Sequence, residues 1–284
     1  MDNSFVLAAD PSRLAGAAPR ARLESAAMRT LFGLAAALLV ACGGRSSAMP
    51  DSAAPGADAA PSADATAATD GVSVDASAGF GALSGMCGVL TVADLTGATP
   101  ELFRDKLTFD HAYVDADDRA QLTPGGQRMM ATPNAGGSSG VSEAFAFEEL
   151  ARCEHADLDA TETEIVYDGP GKITDLEVTL QGHKIGVSVT RAVAFPFGDP
   201  YTVADASSLI GRKLTEIQAS SAHVDPVDKW DKQILAVLAW DDAAADSVAT
   251  AWAALDATVK ADSLVVITVT DGDDTFIYSN QAAR

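Results

Sequence analysis

Positive charge is what this chain has least of. Its 284 residues hold 19 Lys and Arg against 40 Asp and Glu, a formal net charge of −21 at pH 7. Nucleic-acid affinity depends on cationic side chains that displace counterions from phosphates, so no nucleic-acid partner is expected. After Met86 the imbalance is 14 basic to 32 acidic residues. Such charge favours solubility and self-repulsion, and scattered carboxylates hold divalent cations weakly unless they converge. Long apolar runs are also missing. Leu31 to Ala41 is apolar over eleven residues, well short of the roughly 20 that a membrane-spanning helix needs. Histidines are few, and His111, His155, His183 and His223 show no zinc-ligand spacing. Asp115, Asp117 and Asp118, like Asp271, Asp273 and Asp274, lack the spaced ligands and terminal Glu of a calcium loop. The three tryptophans, Trp230, Trp240 and Trp252, read as core anchors.

The apolar run follows Arg29 and ends in Leu39-Val40-Ala41-Cys42. A basic residue, a short apolar stretch and small residues before a cysteine have signal-peptide anatomy, and the ending resembles the lipobox of bacterial lipoproteins. The resemblance implies a signal region over residues 1–41, with Met28 as the true start, and acylation of Cys42. It implies a membrane partner through the lipid and a place in the cell envelope outside the cytoplasm. Gly43 points to the outer membrane, since it is not the Asp that marks inner-membrane retention. Residues 42–86 are rich in Ala, Ser, Asp, Pro and Gly, a composition that cannot offset its ordering entropy and reads as a disordered tether. With Cys42 acylated outside the cytoplasm, Cys87 and Cys153 remain as a disulfide, or else as two buried thiols.

A single globular α/β (α+β) domain is expected over residues 87–284. Its pattern opens with a strand at Leu107 to Val114 and a long Gly/Pro loop from Leu122 to Gly140. Ser142 can cap a helix running to His155, with Glu148, Arg152 and Glu154 on its exposed side. Thr161 to Tyr167 reads as a strand. Ile173 to Leu180 then alternates, Gln181-Gly182 signals a tight turn, and Ile185, Val187 and Val189 alternate after it. A two-residue turn sets Leu180 against His183, Val178 against Ile185, Glu177 against Gly186 and Asp175 against Ser188. A helix follows with Ala206, Ile210, Leu214 and Ile217 on one side, expected to cover the apolar face of the hairpin. Ile234 to Leu238 is a buried strand, Asp241 or Asp242 caps a further helix, and Leu264 to Thr270 is a last strand. The layers predict a mixed sheet flanked by helices.

The order α, β, β, β, α, β, with an extra helix and strand, resembles the PD-(D/E)XK nuclease-like superfamily over Ser142 to Asp241. The resemblance implies an Asp on the second strand and a Glu-x-Lys on the third converging on Mg²⁺, with the Lys positioning the attacking water. Asp175 holds the first position. Ser188 and Thr190 hold the third-strand positions, so the catalytic set is incomplete. Glu177 shares the strand with Asp175 as a metal-ligand candidate, Glu143 or Glu149 comes from the first helix, and Arg191 or Lys213 supplies charge. The reading is therefore a non-catalytic domain with a binding or structural role, its protein or small-molecule partner unnamed, and no cofactor. The alternative is a divergent metal-dependent hydrolase using Asp175 and Glu177 with Mg²⁺. A third reading is a serine hydrolase, since Gly136-Gly137-Ser138-Ser139-Gly140 fits G-x-S-x-G, although no buried strand precedes Ser138.

Overall fold

A computed structural model describes residues 80–279 except Gly136 and Ser138. The signal region, Cys42, the tether up to residue 79 and the Ser138 nucleophile position lie outside the described residues. The sheet has seven strands: β1 (Ala82–Gly85), β2 (Glu101–Phe109), β3 (Asp157–Thr161), β4 (Leu176–Leu180), β5 (His183–Ala192), β6 (Lys232–Ala239) and β7 (Leu264–Gly272). Their spatial order is β1-β2-β7-β6-β5-β4-β3. Strands β2, β7, β6 and β5 run parallel to one another, and β1, β4 and β3 are antiparallel additions. The helices are α1 (Val92–Thr96), α2 (Ala116–Arg119), α3 (Pro124–Ala131), α4 (Gly140–Cys153), α5 (Val203–His223), α6 (Asp242–Ala254), α7 (Ala257–Lys260) and α8 (Thr275–Ser279). The domain is α+β, a mixed sheet between helices.

The β4–β5 hairpin has the expected register, with Leu180 opposite His183, Val178 opposite Ile185 and Glu177 opposite Gly186. Gln181 and Gly182 both take positive φ, 49° and 86°, as a two-residue hairpin turn requires. No side chain fits at Gly186: an added Cβ would come within 2.6 Å of the Trp230 ring.

Alternation along the strands sends neighbouring residues to opposite faces. Leu176, Val178, Ile185, Val187, Ile234 and Val266 pack with Phe147 and Leu150 of α4. Leu235, Val237 and Ile267 pack with Ile210 and Leu214 of α5 and Val248 of α6. The apolar face of the hairpin is thus covered by α4, whereas the sequence pointed to α5. A third cluster joins Phe80, Leu83, Phe109, Tyr113, Phe145 and Phe276, so the end of the expected tether is core and edge strand.

Other boundaries differ for local reasons. Strand β2 begins at Glu101 and ends at Phe109 because its whole length pairs with β7. The Leu122–Gly140 loop contains α3, in which Pro124 takes the first turn and the Thr123 side chain accepts from the Gly126 amide. Strand β3 stops at Thr161, and Tyr167 makes an isolated bridge to Val224. Glu148 and Glu154, expected on an exposed side, are buried. Glu148 accepts from the Thr123 amide (2.7 Å) and hydroxyl (2.6 Å) and pairs with Arg152 (2.8 Å), while Glu154 accepts from the Gly88 amide (2.8 Å). Cys87 and Cys153 form a disulfide that ties α4 to the turn after β1.

Candidate carboxylate site

Asp175 stands one residue before β4, where its own amide donates to the Val187 carbonyl (3.1 Å). This places its carboxylate beside β5. Ser188 Oγ donates to Asp175 Oδ2 at 2.9 Å, and the Val189 amide donates to the same oxygen at 2.5 Å. Part of Asp175 stays open to solvent. Its carboxyl is nevertheless enclosed, and this desolvation raises it above the usual carboxylate range, against the pull of Lys213, the Val189 amide and Ser188.

Glu143 reaches the same region from the first turn of α4 and is buried. Burial, then the negative charge of Asp175, push it up to about 7, while hydrogen bonds from Ser139 and Asn134 pull the other way. The Asn134 amide nitrogen lies 2.8 and 2.9 Å from the two Glu143 oxygens and 3.2 Å from Ser139 Oγ. Asn134 was not picked out from the sequence. Its only signal was its place after Pro133 at the head of a Gly/Ser loop, where Asn commonly binds local backbone, as it does here with the Gly137 amide at 3.1 Å.

Arg191 on β5 is within the field of Glu143 and is half-buried, and Nη1 donates to the Ile277 and Tyr278 carbonyls at 3.2 and 3.3 Å. It thereby meets carbonyls that the end of α8 leaves open. Thr190 is half-buried on β5, in register with Val237 of β6. Two candidates stand apart from this group. Glu177 is buried and forms an ion pair with Lys184 at 2.5 Å, its charge coupled to Asp159 and Asp228. Glu149 lies deep in the core against Asp105, and Asp105 Oδ1 and Glu149 Oε1 are buried with no hydrogen-bond partner among the described residues. Asp105 is pushed up to about 6, and Glu149 is raised well above its ordinary value, burial leading in both.

The site thus joins Glu143, Asp175, Ser188, Asn134 and Ser139, with Lys213 and Arg191 as nearby charges. Mg²⁺ does not fit these residues. One Asp175 oxygen already accepts two hydrogen bonds, Ser188 brings no charge, and among the described residues no three His, Cys, Asp or Glu side chains stand together as metal ligands. The arrangement favours a proton on Glu143, through burial and the Asp175 charge, and can accept donors from a bound group.

The fold and site define an α+β domain with a hydrogen-bonded carboxyl cluster at the joint of helix and hairpin. No family model matches the chain, and no solved structure matches it. Among curated proteins it is similar to the AAC-rich mRNA clone AAC4 protein of Dictyostelium discoideum, 40% identical over 152 residues, which cover 51% of this chain and 22% of that protein. The chain therefore spans about a fifth of that relative's length. The relative is eukaryotic, and this corrects the reading of the chain as a bacterial, secreted lipoprotein drawn from the Leu39–Cys42 motif. Among the described residues no helix is long and apolar enough to cross a membrane.

Proposed function

We propose that the domain is a PD-(D/E)XK-like module that has exchanged metal-dependent hydrolysis for a binding role. The reading rests on Asp175. One of its oxygens, Oδ2, accepts from both the Ser188 hydroxyl and the Val189 amide, at the strand where that superfamily carries Glu-x-Lys. Supporting it, Glu143 is held by Asn134, and the chain's acidity repels a phosphate backbone. An active site of this class gathers negative charge to bind a cation; here neutral donors satisfy the carboxyls.

Titration calorimetry with MgCl₂ and MnCl₂, run alongside cleavage assays on DNA and RNA, tests this reading. It predicts no saturable heat and no cleavage. Metal-dependent cleavage that disappears in Asp175→Ala would overturn it in favour of a divergent hydrolase. An active-site phosphonate probe is expected to leave Ser138 unlabelled, and labelling lost in Ser138→Ala would establish serine hydrolase chemistry instead.

A further inference from the structure

Beyond the carboxyl cluster, a cleft opens at the carboxyl ends of β5 and β6. Open sheets with parallel strands present their ligand crevices at that edge. The cleft has a volume of about 160 Å³ and is lined by residues that include Ala194, Asp199, Tyr201, Trp240, Asp241 and Ser247. That is the space of about five waters, enough for one small head group with a short chain. Trp240 was expected in the core but is half-exposed. It is stacked on Phe197 with ring centroids 4.9 Å apart and meets Tyr278 edge-on at 5.0 Å. These contacts fix one wall. Opposite it, Ser247 Oγ donates to the Tyr201 carbonyl at 2.9 Å and anchors the backbone that carries the second aromatic ring.

The chemistry of the lining is one-sided. Asp199 and Asp241 bring carboxylates, and no Lys, Arg or His is among the described residues that line the cleft. The amino end of α6 would by itself favour an anion. It is already met by Asp241, which accepts from the Ala244 amide at 2.7 Å. The Tyr201 hydroxyl is buried with no hydrogen-bond partner among the described residues. Leaving such a group unpaired is costly, and a ligand N–H would satisfy it. An alkylammonium group carries three donors and no acceptor, while the residues lining the cleft include a tyrosine and two aspartates. Its methylenes would lie against the indole and phenol rings, where a cation is also attracted by the ring faces.

We propose that this cleft binds a primary alkylammonium group, such as a lysine side chain or a linear amine. The site uses none of Glu143, Asp175 or Ser188, so it stands or falls separately from the reading of the carboxyl cluster. The test is titration of the full chain with n-butylammonium chloride, followed by calorimetry and tryptophan fluorescence. 1-Butanol serves as the neutral match, sodium butyrate as the anion and methyl glucoside as the neutral polyol. The expected result is saturable binding of n-butylammonium at least about tenfold tighter than 1-butanol, weakening with added salt. Asp199→Asn and Tyr201→Phe should each weaken it several-fold. Asp241→Asn keeps a good helix cap, and should also weaken it without loss of fold. Equal binding of 1-butanol, preference for butyrate or the glucoside, or unchanged affinity in all three variants would overturn the proposal, as would no binding at all.

Discussion

Helix α4 supplies one acid to each of two pairs, Glu149 with Asp105 and Glu143 with Asp175, and the two pairs are held by different means. Glu149 meets Asp105 inside the core, where burial leads in raising both carboxyls and so favours their protonated forms. Glu143 lies within the field of Asp175 beside β5, where Asn134, Ser139, Ser188 and the Val189 amide each donate to one of the two. The first arrangement is closed off in the core, with Asp105 Oδ1 and Glu149 Oε1 left without a partner among the described residues. In the second, each carboxyl has its own neutral donors, and the charge of Lys213 stands close by. Like charges brought together need a proton, a cation or hydrogen bonds, and each choice leaves a different chemical capability.

The strongest way to separate the two ends is to cut the Cys87–Cys153 bridge, which closes on α4 beside Glu149. With a sequence separation of 66 between its cysteines, its loss in a double Cys→Ser variant should cost roughly 4 kcal/mol in the chain-entropy account. Denaturant unfolding measures this. Hydrogen exchange should show loosening around Asp105 and Glu149, with the Asp175–Val189 contact retained.

Proton release distinguishes the pairs next. Glu143 and Asp105 both have folded values above their unfolded ones. The folded state therefore binds the extra protons, and stability falls as pH rises through the interval up to those values. For Glu143 the interval runs from the ordinary 4.5 to about 7, worth roughly 3 kcal/mol. Melting temperature should decrease across it. Glu143→Gln should remove its share of that slope while Asp105 keeps the rest.

Asp175→Ala is expected to cost about 1–3 kcal/mol, because the Val189 amide loses its acceptor. It should also lower the Glu143 value, since the Asp175 charge helps raise it, and carboxyl NMR titration would show this shift. The smallest effect belongs away from both pairs. Thr202 caps α5 in a reciprocal box with Asp205, and Thr202→Ala should cost roughly 1 kcal/mol with no change in either pair's titration.

How far these regions were legible in the sequence follows from how local their causes are. The β4–β5 hairpin could be written down pair by pair, because alternation and a two-residue turn leave one register. That register alone set Asp175 beside Ser188. Strand β1 was hidden, since Ala82-Leu83-Ser84-Gly85 continues a tether-like composition and is recruited only by pairing with β2. Helix α3 was hidden because Pro124-Gly125-Gly126 looks like a loop, and its cap is secured by the distant Glu148. The acids of α4 were misjudged for the same reason. Glu148 accepts from Thr123, Glu149 packs against Asp105 and Glu154 accepts from Gly88, and none of these partners is near it along the chain. Glu177 looked like a companion of Asp175 by spacing, but Lys184, across the hairpin, holds it.

We propose that hydrogen bonds stand where a cation would beside Glu143 and Asp175. Carboxyl ¹³C NMR titration of both residues, with and without millimolar Mg²⁺, tests it most directly. The account predicts a Glu143 midpoint near 7 that Mg²⁺ leaves in place. A midpoint that falls sharply when Mg²⁺ is added, together with a matching shift at Asp175, would contradict it.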